Sequence, residues 1–213
     1  MPATLDHLTV IAPTLEAGAA HVRQQLGLLM QPGGKHPEMG THNLLLGLGP
    51  DVFLEVIAVD PQAQAPAWPR WFGLDNGAAV QADWDAGRRL RAWVARSDDL
   101  DDLLASHSEL LGARRQVSRG ERVWWFSVRD DGALPMDGAV PSVIDWGLRG
   151  TPAASMPPSG AGLTGLVLEH PEPQRIAAQY AELGLVHAPQ LRHGAQLRYL
   201  AQIQTPDGLK ILS

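Results

Sequence analysis

The chain has 213 residues, 45% of them hydrophobic, and a formal net charge of -6. That is enough apolar material for one substantial core or two small ones. With 17 basic residues against 23 acidic ones and no basic stripe, it lacks the clustered positive charge a nucleic-acid partner needs. The absence of cysteine excludes disulfides, thiolate nucleophiles and cysteine-type zinc sites.

In chain order, "LDHLTVIAP" reads as a β-branched apolar strand closed by proline. "TLEAGAAHVRQQLG" follows as a helix, with Thr14 as N-cap and Gly27 as stop. Its Leu15, Ala19, Val22 and Leu26 share one face. "GGKHPEMGTHN" comes next and places His36 and His42 beside three glycines. It either supplies backbone bends between strands or folds over the rim of a site with His42 turned inward. By alternation His42 shares a side with Leu44 and Leu46, and Asn43 shares the other with Leu45. "HNLLLGL" and "VFLEVIAV" read as strands joined by the turn "GPD".

A Pro/Trp-rich crossover, "PQAQAPAWPRWFGLDNG", leads to a second unit of the same order. There "LRAWVAR" precedes the helix "SDDLDDLLASHSELLG", and "RVWWFSV" and "VPSVIDWGL" follow it. The linker "RGTPAASMPPSGAG" leads to a third unit: "GLTGLVLEHP", the helix "EPQRIAAQYAELG", then "LRYLAQI" and "LKILS" around the turn "TPDG". The order β-α-β-β-β, repeated three times, is an α+β pattern in which each helix covers one face of a small sheet. The N-terminus lacks the basic region of a signal peptide, and no apolar run is long enough for a bilayer, so a soluble cytoplasmic protein is expected.

Period-two alternation puts Leu8, Val10 and Ala12 under the helix, and His7 and Thr9 on the opposite, concave side. In the same way Leu54, Val56 and Ala58 oppose Phe53, Glu55 and Ile57. Glu55, flanked by Leu54 and Val56, needs a partner or a metal if it is buried; on an edge strand it would face water. Asp145 is expected on the concave side with Val143, with Ile144 and Trp146 toward the helix; it could equally be a strand-end turn carboxylate. Adjacent Trp124 and Trp125 must face opposite sides, so that one lines the hollow.

On "LDHLTVIAP", "GGKHPEMGTHN", "FLEVIAVDP", "SDDLDDLL" and "PSVIDWG", the sequence resembles the glyoxalase-like branch of the vicinal oxygen chelate superfamily. The resemblance runs from the first strand to about Gly147. It implies repeated βαβββ modules, two of them pairing into an open cupped barrel over residues 3–149, with an additional C-terminal βαβββ-like module over 160–213 for structure or dimerisation. It further implies a divalent metal, Zn, Mn, Fe or Mg, held by His7, Glu55 and Asp145, with Ala92 standing where a fourth ligand is expected. In the third module Gly165 and Leu212 replace the corresponding ligands.

The expected function is therefore glyoxalase- or dioxygenase-like chemistry on a small organic molecule with vicinal oxygens: lyase, isomerase or oxygenase. His42 and Glu55 would be the catalytic groups, with a pocket drawn from His36, Asn43, Phe53, Trp124 and Trp125. The competing expectation is a metal-free small-molecule binding protein of the drug-sequestering kind. An unpaired third module implies a possible homodimer.

Overall fold

The structure, a computed structural model, describes residues 2–213. The first module runs β1 (Ala3–Ile11), α1 (Leu15–Leu26), β2 (Gln31–His36), β3 (Thr41–Gly47) and β4 (Phe53–Val59). The Thr14 hydroxyl caps α1 by accepting from the Ala17 N–H, and Gly27 ends it in the left-handed conformation, φ 74°. The crossover carries a tight 3-10 turn, Trp71–Gly73. It then carries a helix that the sequence pattern does not announce, α2 (Gly77–Asp85), capped by the Asn76 side chain on the Ala79 N–H. The second module follows as β5 (Leu90–Arg96), α3 (Leu100–Leu111), β6 (Ala113–Arg119), β7 (Arg122–Val128) and β8 (Ser142–Asp145).

These strands form one sheet in the order β2-β3-β4-β1-β5-β8-β7-β6, with the two modules joined through the antiparallel β1–β5 pair. The sheet curls until its ends meet: Glu38, in the β2–β3 turn, accepts from the backbone N–H (3.1 Å) and hydroxyl (2.7 Å) of Ser118 on β6. The result is a nearly closed cup with α1 and α3 outside it. An apolar layer lies under the helices, and a second one, built on Phe53, Trp71, Trp124 and Phe126, fills the cup.

The third module is β9 (Gly162–His170), α4 (Pro173–Glu182), β10 (Leu185–Val186), β11 (Gln190–His193), β12 (Arg198–Thr205) and β13 (Gly208–Leu212). It makes its own sheet, β11-β9-β12-β13, and lends only β10 to the edge of β1. Its apolar face does not stay open: Leu168, Tyr199, Ile203 and Leu212 join the layer under the helices together with Trp93. The Tyr180 and Tyr199 hydroxyls donate to the Ala139 and Gly138 carbonyls at 2.7 and 2.6 Å. The exposed half-sheet on which a dimer was expected is thus covered by the chain itself.

Candidate active site

β1 and β4 run parallel with Thr9 opposite Glu55, which brings His7 and Glu55 onto the cup side of neighbouring strands. Both are buried, at 4% and 6% exposure, and the His7 Nε2 lies 3.5 Å from a Glu55 oxygen. A bulge opposite β5 then alters the alternation. Leu5 pairs with Ala95 and His7 with Val94, so Asp6 is the extra residue. Asp6, fully buried, accepts from the His7 Nδ1 at 2.7 Å and from the Trp146 Nε1–H at 3.0 Å. His7 therefore stands between two carboxylates and stacks on Phe53, ring centroids 4.5 Å apart.

Charge follows from these neighbours. Burial works against the imidazolium, but Asp6 and Glu55 outweigh it and raise the His7 pKa to about 9. Burial likewise disfavours ionised Glu55, yet His7 and the Asn43 amide hold its pKa below the ordinary value. His36, buried on the same side, loses more to desolvation than the charges of Glu55 and Glu38 return, and with Arg119 also opposing its cation its pKa falls to about 4. At neutral pH the set is a charged His7–Glu55 pair beside a neutral imidazole.

The hydrogen-bond inventory orients the rest. The Asn43 Nδ2 donates to Glu55 at 2.6 Å and faces the His36 Nε2 at 3.4 Å. Since an amide nitrogen only donates, the His36 Nε2 is the acceptor and its Nδ1 carries the proton, which goes to the Thr41 hydroxyl at 3.0 Å. The Trp71 indole donates to the same hydroxyl at 3.3 Å. Gly33 makes room for this network: a Cβ there would lie 2.1 Å from the Asn43 Oδ1. Trp71, Phe72, Trp124, Phe126 and Trp146 wall the remaining space, a cavity of ≈ 20 Å³ with Arg119 at its side.

The structure thus brings together His7, Glu55, His36, Asn43, Phe53 and Trp124, and leaves out three expected residues. "GGKHPEMGTHN" is a hairpin in which His36, Thr41 and Asn43 point inward. His42 is half-buried on the other side, with Leu46 in the layer under the helix, and sits close enough to Glu16 of α1 to act on its charge.

Asp145 is also outside. Val143 packs in the layer under α3, so its face, which Asp145 shares, is the helix side, whereas Ile144 and Trp146 enter the cup. The Asp145 carboxylate accepts from the Gly147 N–H at 2.8 Å, the turn role, and has Arg114 at 4.0 Å. Trp125 lies on that outer side too, under the Arg114 guanidinium at 4.0 Å. Asp6, Trp71, Phe72, Arg119 and Trp146 are the site residues that sequence reasoning missed. The tryptophans at 71 and 146 carried a compositional signal; a bulge at Asp6 carries none.

The donor set does not fit the metal centre that the sequence resemblance implies. His7 and Glu55 offer two donors turned toward one another, the His36 Nε2 is taken up by the Asn43 amide, and the cup side of the second module presents Ala92, Val94 and Ile144, which offer none. Among the described residues no group of three or more His, Cys, Asp or Glu is arranged to hold a metal ion, and a first-row dication needs at least three protein donors with an open position.

A solved structure shares this architecture. A crystal structure of a hypothetical protein from Staphylococcus aureus is similar at TM-score 0.63 and 12% identity, covering 93% of this chain and 88% of that one. Methylmalonyl-CoA epimerases from Streptomyces coelicolor and Mycobacterium tuberculosis align at TM-scores 0.44 and 0.43, with 13% and 14% identity. They cover 70% and 68% of this chain, and 97% and 89% of theirs. No curated protein matches by sequence. The model of the glyoxalase-like domain matches residues 5–184, and the chain belongs to that family.

Proposed function

We propose that this chain is a small-molecule enzyme that moves a proton on a carbon next to a carbonyl group, with Glu55 as the base and His7 as the cation that steadies the oxyanion. The observation that supports this reading is the buried His7–Glu55 pair, oriented from outside by Asp6 and Asn43. A carbonyl oxygen entering between the two side chains takes the His7 Nε2–H. Glu55, relieved of that cation, becomes a stronger base.

The carboxylate accepts the carbon-bound proton, the C–H electron pair moves into an enolate, and the proton returns to the neighbouring carbon or oxygen. Asp6 keeps His7 protonated, neutral His36 turns the Asn43 amide toward Glu55, and the aromatic walls keep water out. Among the described residues no group is arranged to hold the expected metal, so this reading is built on side chains alone. A sequestering role is the second reading, favoured by the largely apolar and aromatic far wall of the cup, built on Val94, Trp124, Phe126 and Ile144.

Deuterium exchange at the α-carbon of a panel of ketones and keto acids, followed by NMR in D2O after dialysis against a chelator, tests both. Catalysed exchange that falls by about 10²-fold or more in Glu55→Gln is the expected result. Exchange restored only by added Zn, Mn, Fe or Mg would return the metal route. Binding without exchange would mean sequestration.

A further inference from the structure

The cavity beside His7 and Glu55, at ≈ 20 Å³, holds about one water and no substrate. Against the same cup lies a groove of ≈ 1190 Å³, and Phe72 belongs to the walls of both. Its neighbours divide: Trp71 faces the inner cavity, and Arg70 and Gly73 face the groove. The partition between the reactive pair and an open, ligand-sized space is therefore one 3-10 turn.

That turn carries backbone strain at its centre. Phe72 has φ 59° and ψ 21°, a left-handed conformation that a bulky side chain occupies only at a cost, while its ring is 5% exposed and edge-on to Phe126. Gly73 follows at φ 68°, with open space where a Cβ would stand, and its N–H donates to the Gly132 carbonyl at 2.8 Å. Rotation about Phe72's own φ and ψ, taken up by the compliant Gly73, would withdraw the ring and join the two spaces.

The groove's charges are matched within its own surroundings. Arg70 pairs with Asp75, Arg88 with Asp83, Arg91 with Asp83 and Asp137, and Asp131 with Arg129. What it offers a ligand is hydrogen-bonding edges with no surplus of either sign, a wall suited to hydroxyls rather than to phosphate or ammonium groups.

Building on the proton-transfer reading, we infer that the substrate is elongated: a short carbonyl end passes Phe72 into the inner cavity, and an uncharged, hydroxylated body stays in the groove. Alkylation by chloroketones tests this apart from that reading, because it needs entry and no turnover. A His36 nitrogen or Glu55 oxygen displaces chloride from the CH2–Cl carbon, forming C–N or C–O as C–Cl breaks; an alkylated His36 releases its extra proton to solvent.

Chloroacetone, with sites mapped by mass spectrometry, should label these inner residues at least about tenfold faster in Phe72→Ala than in the wild type, since reactivity follows the fraction of open protein. The half-buried His42 on the outer face is the internal reference and keeps its rate. In the wild type, a chloroketone with a neutral polyhydroxylated tail should label the inner residues faster than both chloroacetone and the same tail ending in phosphate. If the alanine variant unfolds, His42 reacts at the denatured rate and Phe72→Leu supplies the reading. Inner rates unchanged in the folded variant would overturn the gate. A phosphate tail as fast as the neutral one would overturn the uncharged body.

Discussion

At the scale of single residues, the two inward histidines titrate in opposite directions, and that predicts a stability maximum. His7 has a folded pKa of about 9 against an ordinary 6.5, so its contribution is complete below about 6.5 and is lost as pH rises through 9. His36 has a folded pKa of about 4, so it must stay neutral to remain buried, and stability falls as pH drops from 6.5 toward 4. Each shift spans about 2.5 units, on the order of 3 kcal/mol at full effect. Thermal melts against pH should peak near 6.5, with His36→Asn flattening the acid limb and His7→Asn the alkaline one. A wild-type profile flat from pH 4 to 9 would contradict the burial of both rings.

His7 and Glu55 were legible as a co-facial pair because β1 and β4 alternate cleanly outside the bulge. Asp6 was not, because strict alternation places it with the residues under the helix and only the extra residue in β1 turns it to the cup.

At the scale of elements, the hairpin β2–β3 acts through its glycines. A methyl group at residue 33 would collide with the Asn43 side chain, and that amide is what pins Glu55. Gly33→Ala should therefore cost about 1–3 kcal/mol of stability, the usual range for overpacking. It should also loosen Glu55, so that α-carbon exchange falls further than the stability loss explains. Asn43→Ala in the same background should then add little to the activity loss, because the two changes act through one contact. Additive losses would show that Gly33 works through something other than Asn43.

The hairpin's inward face was open in the sequence because both its faces carry polar and apolar groups. β8 misled for a related reason: Val143 on one side and Ile144 on the other are both buried, so alternation gives its period and not its direction. Helix α2 was missed because none of its residues is fully buried; only Val80 and Trp84 pack part-way against the apolar layers, too little to impose the amphipathic pattern that marks α1.

At the scale of the molecule, the third module replaces solvent on the helix-side layer of the barrel, and this bears on whether residues 3–149 can stand alone. Trp93 is fully buried with the Tyr180 ring edge-on at 5.7 Å, and Tyr199 and Ile203 complete the same layer. Removing the module uncovers these apolar groups and leaves the Gly138 and Ala139 carbonyls without their tyrosine donors. An exposed apolar face of that kind drives association. A chain ending at Pro158 should accordingly aggregate or bind a hydrophobic dye, whereas the full chain should not. Tyr199→Phe isolates the polar part: it keeps the ring, leaves the Gly138 carbonyl unpaired in a buried setting, and should cost about 1–3 kcal/mol in urea unfolding. A truncated barrel that stayed monomeric, with the melting temperature of the full chain, would make the module an ornament. The packing of its tyrosines into the layer beneath β5 argues that it is a wall.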